Sequence, residues 1–306
     1  MCSLKVFVML ALLLISSQAF AQELEPRRWS WLPDGASFLG LAAGNSTGDV
    51  LFDPVLQLRE VTLDYATLGA SYIHSFGFFG KPARVDINVP YASARWEGLL
   101  NDVPASTRRR GFIDPYLRLS INLYGAPVLK GRAFQQFMAE HPINTTIGAA
   151  IGVISPWGEY RSDKLINLGN NRWALRPQLG VLHAHNKWQF ETTAAVFLYA
   201  DNKEFIPGSQ VREQDPLWSI QGHVIYTFRP GLWTSVSGGF AWGGESTVGG
   251  HAQGDESRMP VWALSLGIPI TPRQGLKIAY VISRTNTDTG SDLGTYQLVW
   301  STMLGH

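Results

Sequence analysis

Residues 217–228 read LWSIQGHVIYTF, and apolar side chains return at every second position along this stretch. The apolar residues on even numbers are Trp218, Ile220, Val224, Tyr226 and Phe228, and the polar residues on odd numbers are Ser219, Gln221, His223 and Thr227. A period of two places the two sets on opposite faces of a β-strand. In a soluble sheet protein the apolar face would form the core. In a membrane barrel it would face lipid, and the polar face would line the lumen.

The same alternation recurs along the chain and predicts an all-β protein of about twelve strands. The clearest candidates lie within 83–91, 112–124, 173–181, 187–196, 217–228 and 276–283, and weaker ones near 36–43, 61–76, 145–155, 232–242, 261–269 and 293–302. Each candidate has roughly 8–14 residues, which is enough to cross a bilayer at a tilt.

The connections between the predicted strands tend to alternate between short and long. The short ones are 77–82, 184–187, 229–231 and 271–275, and the long ones are 44–60, 95–111, 158–171, 201–216, 243–257 and 284–292. This alternation is typical of an up-and-down antiparallel barrel with both termini in the periplasm. The connection 125–142 departs from it, since it is long where a short turn is expected, and residues 131–141 within it could form a short helix.

Tryptophan residues cluster near both ends of the predicted strands. On the long-loop side they are Trp96, Trp157, Trp173, Trp218, Trp242 and Trp262, and on the short-turn side Trp188, Trp233 and Trp300. Indole prefers the membrane–water boundary, so two such bands indicate the aromatic girdles of a transmembrane barrel. A soluble sandwich capped by tryptophan is the alternative, but it would not explain two bands together with alternating loop lengths.

The first 21 residues have the organisation of a secretory signal peptide. Lys5 precedes an apolar stretch that is too short to span a membrane, and Ala19-Phe20-Ala21 forms a small-x-small cleavage site. We therefore expect export to the bacterial outer membrane. The predicted segments are the signal peptide 1–21, a short N-terminal periplasmic segment 22–35 and the β-barrel 36–306. The N-terminal segment is too short for a large plug domain, but it could partly enter the lumen.

The mature chain is expected to carry no thiol and no net charge. Cys2 is the only cysteine and lies in the signal peptide, which excludes disulfide, zinc–thiolate and iron–sulfur sites from the mature chain. The full chain has 25 Lys and Arg against 24 Asp and Glu, so removal of Lys5 makes the two totals equal. Without a basic patch, nucleic acid is excluded as the expected partner.

Several segments resemble a family of bacterial outer-membrane proteins labelled "MetA-pathway of phenol degradation", often described as transporters. They are RVDINVPYASARWEG (84–98), GFIDPYLRLSINLYGAP (111–127), SPWGEY (155–160), INLGNNRWALRPQLGV (166–181), DPLWSIQGHVIYTFRPGLW (215–233) and LKIAY (276–280). The most specific block is N-L-G-x-N-R-W, with Asn170 at x where the family pattern suggests Thr, and STMLGH extends past Trp300. The resemblance implies a barrel that is inserted by the barrel-assembly machinery and contacts outer-membrane lipid and lipopolysaccharide.

The polar face of the strands supplies side chains that are expected to line the lumen and contact a small-molecule solute. They are Arg84, Asp86, Asn88, Asp114, Tyr116, Arg118, Asn122, Arg176, Gln178, Glu191, Gln221 and His223. This set could shape a permeation path, or its charge pairs could simply staple a narrow barrel. The loop block contributes Asn167, Gly169, Asn171, Arg172 and Trp173. Within it, Arg172 could bind an acidic solute or a lipopolysaccharide phosphate, or brace the loop.

No catalytic or metal-binding pattern stands out in the sequence. No set of Ser, His and acid residues rises above background, and His183 and His185, on one predicted strand face, are too few for a metal site. We therefore predict no enzyme activity, no cofactor and no metal. The predicted function is an outer-membrane channel for passive uptake of small solutes, aromatic ones among them. The alternatives are a closed structural or surface-interaction barrel and, third, an outer-membrane hydrolase, and the oligomeric state stays open.

Overall fold

The computed structural model describes residues 24–51, 58–164, 166–205 and 210–304. The predicted signal peptide 1–21 lies outside these ranges. Within them, no helix is long and apolar enough to cross a membrane.

The described ranges contain seventeen strands and one helix. The strands are β1 (Ser37–Leu51), β2 (Leu58–Phe78), β3 (Lys81–Leu100), β4 (Val103–Phe112), β5 (Tyr116–Tyr124), β6 (Ile143–Ile154), β7 (Ala174–His185), β8 (Trp188–Tyr199), β9 (Asn202–Phe205), β10 (Gln210–Gln214), β11 (Leu217–Arg229), β12 (Leu232–Gly243), β13 (Ser246–Val248), β14 (His251–Ala252), β15 (Ser257–Thr271), β16 (Gln274–Ser283) and β17 (Gly290–Leu304). The helix is α1 (Gly131–Glu140).

The larger sheet closes into an antiparallel barrel with twelve strand positions. The order around it is β2, β1, β17, β16, β15, β12, β11, β8, β7, β6, β5 and β3, and β2 pairs with β3 to complete the circle. β4 and β5 share one position, because β4 pairs with β3 from Tyr91 to Leu100 and β5 pairs with it from Ala83 to Asn88. The prediction of an up-and-down barrel of about twelve strands is confirmed.

The two faces of β11 carry the division that residues 217–228 predict. Trp218, Ile220 and Val224 are 50%, 47% and 42% exposed on the outside of the barrel, whereas His223 is 3% exposed on the inside. An apolar outer face and a polar inner face are typical of membrane barrels, since the core of a soluble sheet protein would show the reverse.

The turns at one end of the barrel are short, as the sequence predicts. Two residues each connect β2 to β3, β7 to β8, β11 to β12 and β15 to β16. At the second of these turns Asn186 has a φ of 56°, a left-handed conformation that asparagine tolerates better than most residues. The long connection between β5 and β6 forms α1, which is the short helix expected there, and its Phe137 ring lies 5.2 Å from the ring of Trp31.

The long connections at the other end form a second, smaller sheet. β9 and β10 follow β8, and β13 and β14 follow β12. β10 pairs with both β9 and β13, and β14 extends β13. Two loops that are far apart in sequence are thereby joined at the loop end of the barrel.

Two predicted loops are partly strand. Within 95–111, β3 continues to Leu100 and β4 pairs back along it. The apolar alternation does not continue there, since Arg95 and Arg108, which pair across the two strands, are both charged and exposed. Likewise β1 runs to Leu51, into the predicted loop 44–60.

The predicted single strand 112–124 is broken near its start and shifts in register near its end. β4 ends at Phe112 and β5 begins at Tyr116, and Pro115 in the gap has no N–H to donate. A register shift lies between Asn122 and Tyr124, and Tyr124 at the end of β5 is 64% exposed.

Candidate functional site

The N-terminal segment, assigned to the periplasm from the sequence, enters the barrel lumen. Trp29 is only 1% exposed, and its indole Nε1 donates a hydrogen bond to Thr193 Oγ1 at 2.8 Å. The guanidinium of Arg118 lies over the same indole, 4.7 Å from the ring centroid, in a cation–π arrangement. The segment is thus held by side chains from two different strands, β5 and β8.

Glu191, on the inner face of β8, receives the backbone of this segment. Its Oε1 accepts from the Arg28 N–H at 3.0 Å and its Oε2 from the Trp29 N–H at 3.5 Å. Two successive N–H groups aimed at one carboxylate form an anion-binding nest, here with the anion supplied by the barrel wall. At the other end of the segment Leu24 packs in an apolar cluster that includes Val261. Residues 24–31, which we call the lumen segment, are therefore anchored through backbone, indole and apolar contacts.

Two glycines in the wall leave the space that the Trp29 ring fills. A Cβ added to Gly148 in β6 or to Gly180 in β7 would overlap the indole. Side chains larger than hydrogen at these two positions would therefore displace Trp29. The groove between β6 and β7 is shaped for one aromatic ring.

A charged network lines the wall beside Trp29. Arg84 Nε lies 2.8 Å from Asp86 Oδ1, and Arg118 Nη1 lies 3.2 Å from Asp86 Oδ2. Arg118 Nε donates to Gln178 Oε1 at 2.8 Å. This chain crosses β3, β5 and β7, so it brings together four of the predicted lumen residues and pairs their charges across strands, as the stapling interpretation requires.

Other predicted lumen residues contact different parts of the inner wall. The Arg176 guanidinium lies over the Phe197 ring at 4.6 Å, and His223 Nδ1 is 2.8 Å from Ser237 Oγ. Buried Tyr116 packs in the same apolar cluster as Phe197. The side chains of Asn88, Asn122 and Gln221 are half-buried.

Asp114 ties the loop block to the barrel and does not belong to the network of Arg84. It lies in the gap between β4 and β5 and is fully buried. Its Oδ1 accepts from the Gly158 N–H at 2.9 Å, and its Oδ2 accepts from the Asn170 N–H at 2.7 Å and Nδ2 at 3.1 Å. Burial raises the pKa of Asp114, and the hydrogen bonds from Asn170 and Gly158 oppose that shift. Gly169 fits beside this carboxylate, because a Cβ there would come 2.9 Å from Asp114 Oδ1.

The other asparagines of the loop block hold the loop in shape. Asn167 Oδ1 accepts from the Arg161 N–H at 2.8 Å, and its Nδ2 donates to the Lys164 carbonyl at 2.9 Å. Asn171 has a φ of 52° and donates to Asn202 Oδ1 at 3.1 Å. These contacts are those of a braced loop.

Arg172 lies under the loops at the end of the block. It is 4% exposed, donates to Gln214 Oε1 and lies over the Tyr199 ring at 4.5 Å. Burial and the neighbouring charge of Arg212 lower the pKa of Arg172 to about 9. Trp173, the last residue of the block, is 47% exposed, and its ring centroid lies 6.1 Å from that of Trp157.

The sequence reasoning missed the residues that seat the lumen segment. Trp29, Thr193 and Thr146 were in no candidate set, although Trp31 Nε1 donates to Thr146 Oγ1 at 2.6 Å. The available signal was the W-S-W triplet at 29–31, which lies in the predicted segment 22–35 and outside any predicted strand. Within the described part of the chain, no cluster of three His, Cys, Asp or Glu side chains could hold a metal ion.

Comparison with solved structures places the fold among outer-membrane barrels. The COG4313 outer membrane channel from Pseudomonas putida F1 superposes with a TM-score of 0.78 at 21% identity, over 92% of this chain and all of that one. The transport unit of the autotransporter AIDA-I from Escherichia coli gives a TM-score of 0.51 at 9% identity, over 94% of each chain. At these identities the similarity concerns the fold alone.

Comparison of sequences gives two further results. No curated protein sequence matches the chain. A family model described as "Putative MetA-pathway of phenol degradation" matches residues 40–300, which is most of the chain and nearly the whole barrel. The chain belongs to this family.

Proposed function

We propose that the protein is an outer-membrane channel through which small solutes, aromatic acids among them, diffuse passively. The observation that carries this proposal is the division of faces in a closed barrel. Outward side chains such as Leu179 and Trp218 are apolar and exposed, whereas inward ones such as Arg118, Gln178 and Glu191 are polar and buried. That division suits a wall between lipid and a polar interior.

The fold of the COG4313 outer membrane channel supports the channel proposal and the outer-membrane location. The family description supports aromatic solutes. The inner wall holds two nearly parallel rings, Phe197 and Tyr199, with centroids 6.3 Å apart and planes inclined by 10°. The guanidinium groups of Arg176 and Arg172 cover these rings, so the support for aromatic solutes comes from the family description.

A closed barrel with a structural or surface-interaction role is the second candidate. The lumen segment favours it, since Trp29 occupies the interior and is fixed by Thr193, Glu191 and Arg118. The two candidates differ in one property. In a channel, ions and solutes pass the seated segment or displace it, whereas in a closed barrel they do neither.

Single-channel recording of the refolded protein in a planar bilayer separates the two candidates. A channel gives steady conductance that added aromatic acids reduce. A protein that shifts on a denaturing gel when heated, and is therefore a folded barrel, but that passes no current would overturn the channel proposal in favour of the closed barrel.

A further inference from the structure

We propose that Arg172 anchors a binding site for a small carboxylate anion at the loop end of the barrel interior. The inference rests on the proposed function, because it assigns a chemical class to the solute. It extends the bracing role of the loop block, since Arg172 has one terminal nitrogen that bracing does not use.

Arg172 is a buried cation with incomplete partners. One terminal nitrogen, Nη2, donates to the neutral amide of Gln214, and the guanidinium plane lies over the Tyr199 ring. The other terminal nitrogen, Nη1, is buried and has no hydrogen-bond partner. Among the described residues, no carboxylate oxygen lies within 4.0 Å of this guanidinium. A buried charge without a counter-ion is costly, so the surroundings of Nη1 favour an anion.

Two other buried arginines of the interior show what Arg172 lacks. Arg118 is fully buried, and its Nη1 lies 3.2 Å from an Asp86 oxygen. Arg212 is 2% exposed, and its Nη2 lies 3.8 Å from an Asp255 oxygen. Each of these arginines has an internal carboxylate, and the internal partner of Arg172 is an amide.

The nearby acids do not supply the missing anion. Asp114 acts on Arg172 through its charge, but its two oxygens accept from the Gly158 N–H and from Asn170. Asp201 also acts through its charge and is exposed to solvent. Arg212 lies close enough to add a second positive charge. The local field therefore attracts an anion, and no side chain of the described residues provides one to Nη1.

The chemistry of the anchor selects the class of anion. A guanidinium presents paired N–H donors that match the two oxygens of a carboxylate. Asp255 already pairs with Arg212, so a single added negative charge beside Arg172 would give both arginines an anionic partner. A monocarboxylate small enough to reach a residue that is 4% exposed fits this requirement.

The test is calorimetric titration of the detergent-solubilised, folded protein with benzoate. The wild type is expected to bind, and Arg172→Gln is expected to lose about tenfold or more in affinity, because it removes a charged hydrogen-bond donor. Gln214→Glu would place an internal carboxylate beside Arg172, so it is expected to lower the affinity similarly while the barrel stays folded. Arg161→Gln is the matched control, since that arginine is exposed on the same loop and is expected to leave binding unchanged.

Three results would overturn the proposal: a wild type that does not bind benzoate, a folded Gln214→Glu variant that binds it as tightly as the wild type, or inorganic phosphate binding more tightly than benzoate. Binding in detergent does not require an open lumen. A protein that conducts ions but binds no benzoate would refute this site and leave the channel intact. A protein that binds benzoate but never conducts would refute the channel.

Discussion

Replacement of Trp29 by alanine is expected to release the lumen segment. The indole is 1% exposed, and it holds Thr193 through one hydrogen bond and Arg118 through its ring face. Truncating a buried tryptophan to alanine costs about 3–5 kcal/mol, which lowers the ratio of seated to released segment roughly a hundredfold or more. Trp29→Phe keeps the ring and loses the bond to Thr193, so it is expected to cost about 1 kcal/mol, or roughly fivefold.

Trypsin cleavage after Arg27 and Arg28 reports this release. Both arginines precede Trp29 in the lumen segment, where a protease cannot reach them while the segment is seated. When reseating is faster than cleavage, the cleavage rate follows the released population. The expected order of rates is Trp29→Ala, then Trp29→Phe, then wild type, and Trp157→Ala is the control because that ring is 71% exposed on the outside. If a folded Trp29→Ala barrel were cleaved no faster than the wild type, Trp29 would not be what holds the lumen segment in the barrel.

Three further substitutions test other parts of the structure. Gly180→Ala places a Cβ in the Trp29 ring, so it is expected to raise the rate of trypsin cleavage of the lumen segment, as Trp29→Ala does. An unchanged cleavage rate would show that Gly180 does not make room for the indole. Asp114→Ala removes the acceptor of the Gly158 and Asn170 donors, at a cost of about 1–3 kcal/mol, and the loop after β6 should become sensitive to trypsin without loss of the barrel's heat-dependent gel shift. Leu179→Arg places a charge on the outer face, where it is expected to cost about 2–4 kcal/mol in urea unfolding from lipid vesicles, and no cost would indicate that β7 does not face lipid.

The architecture was predictable because it depends on local periodicity. The alternation from Trp218 to Phe228 requires only that neighbouring side chains point in opposite directions, and it yields both strand and face. The loop block was recognisable from its resemblance to the family pattern, and its shape is local, since Asn167 bonds to residues three and six positions away. The polar extensions of β3 and β4 escaped prediction because backbone pairing does not need apolar side chains.

The seat of the lumen segment was not predictable, because it depends on distant contacts. Trp29 meets Thr193 across 164 residues of sequence, and the space for its ring comes from glycines on two other strands. No pattern around residue 29 encodes that meeting. Asp114 is similar, since alternation placed it on a strand, whereas its partners Gly158 and Asn170 lie 44 and 56 residues away.

Flux of a small aromatic acid through the reconstituted protein tests the central claim most directly. Proteoliposomes loaded with 4-sulfobenzoate, whose fixed charge prevents it from crossing lipid, are expected to release it faster than protein-free liposomes. Trp29→Ala proteoliposomes are expected to release it faster still, because the lumen segment no longer occupies the interior. Release at the protein-free rate from both folded proteins would contradict the account and identify a closed barrel.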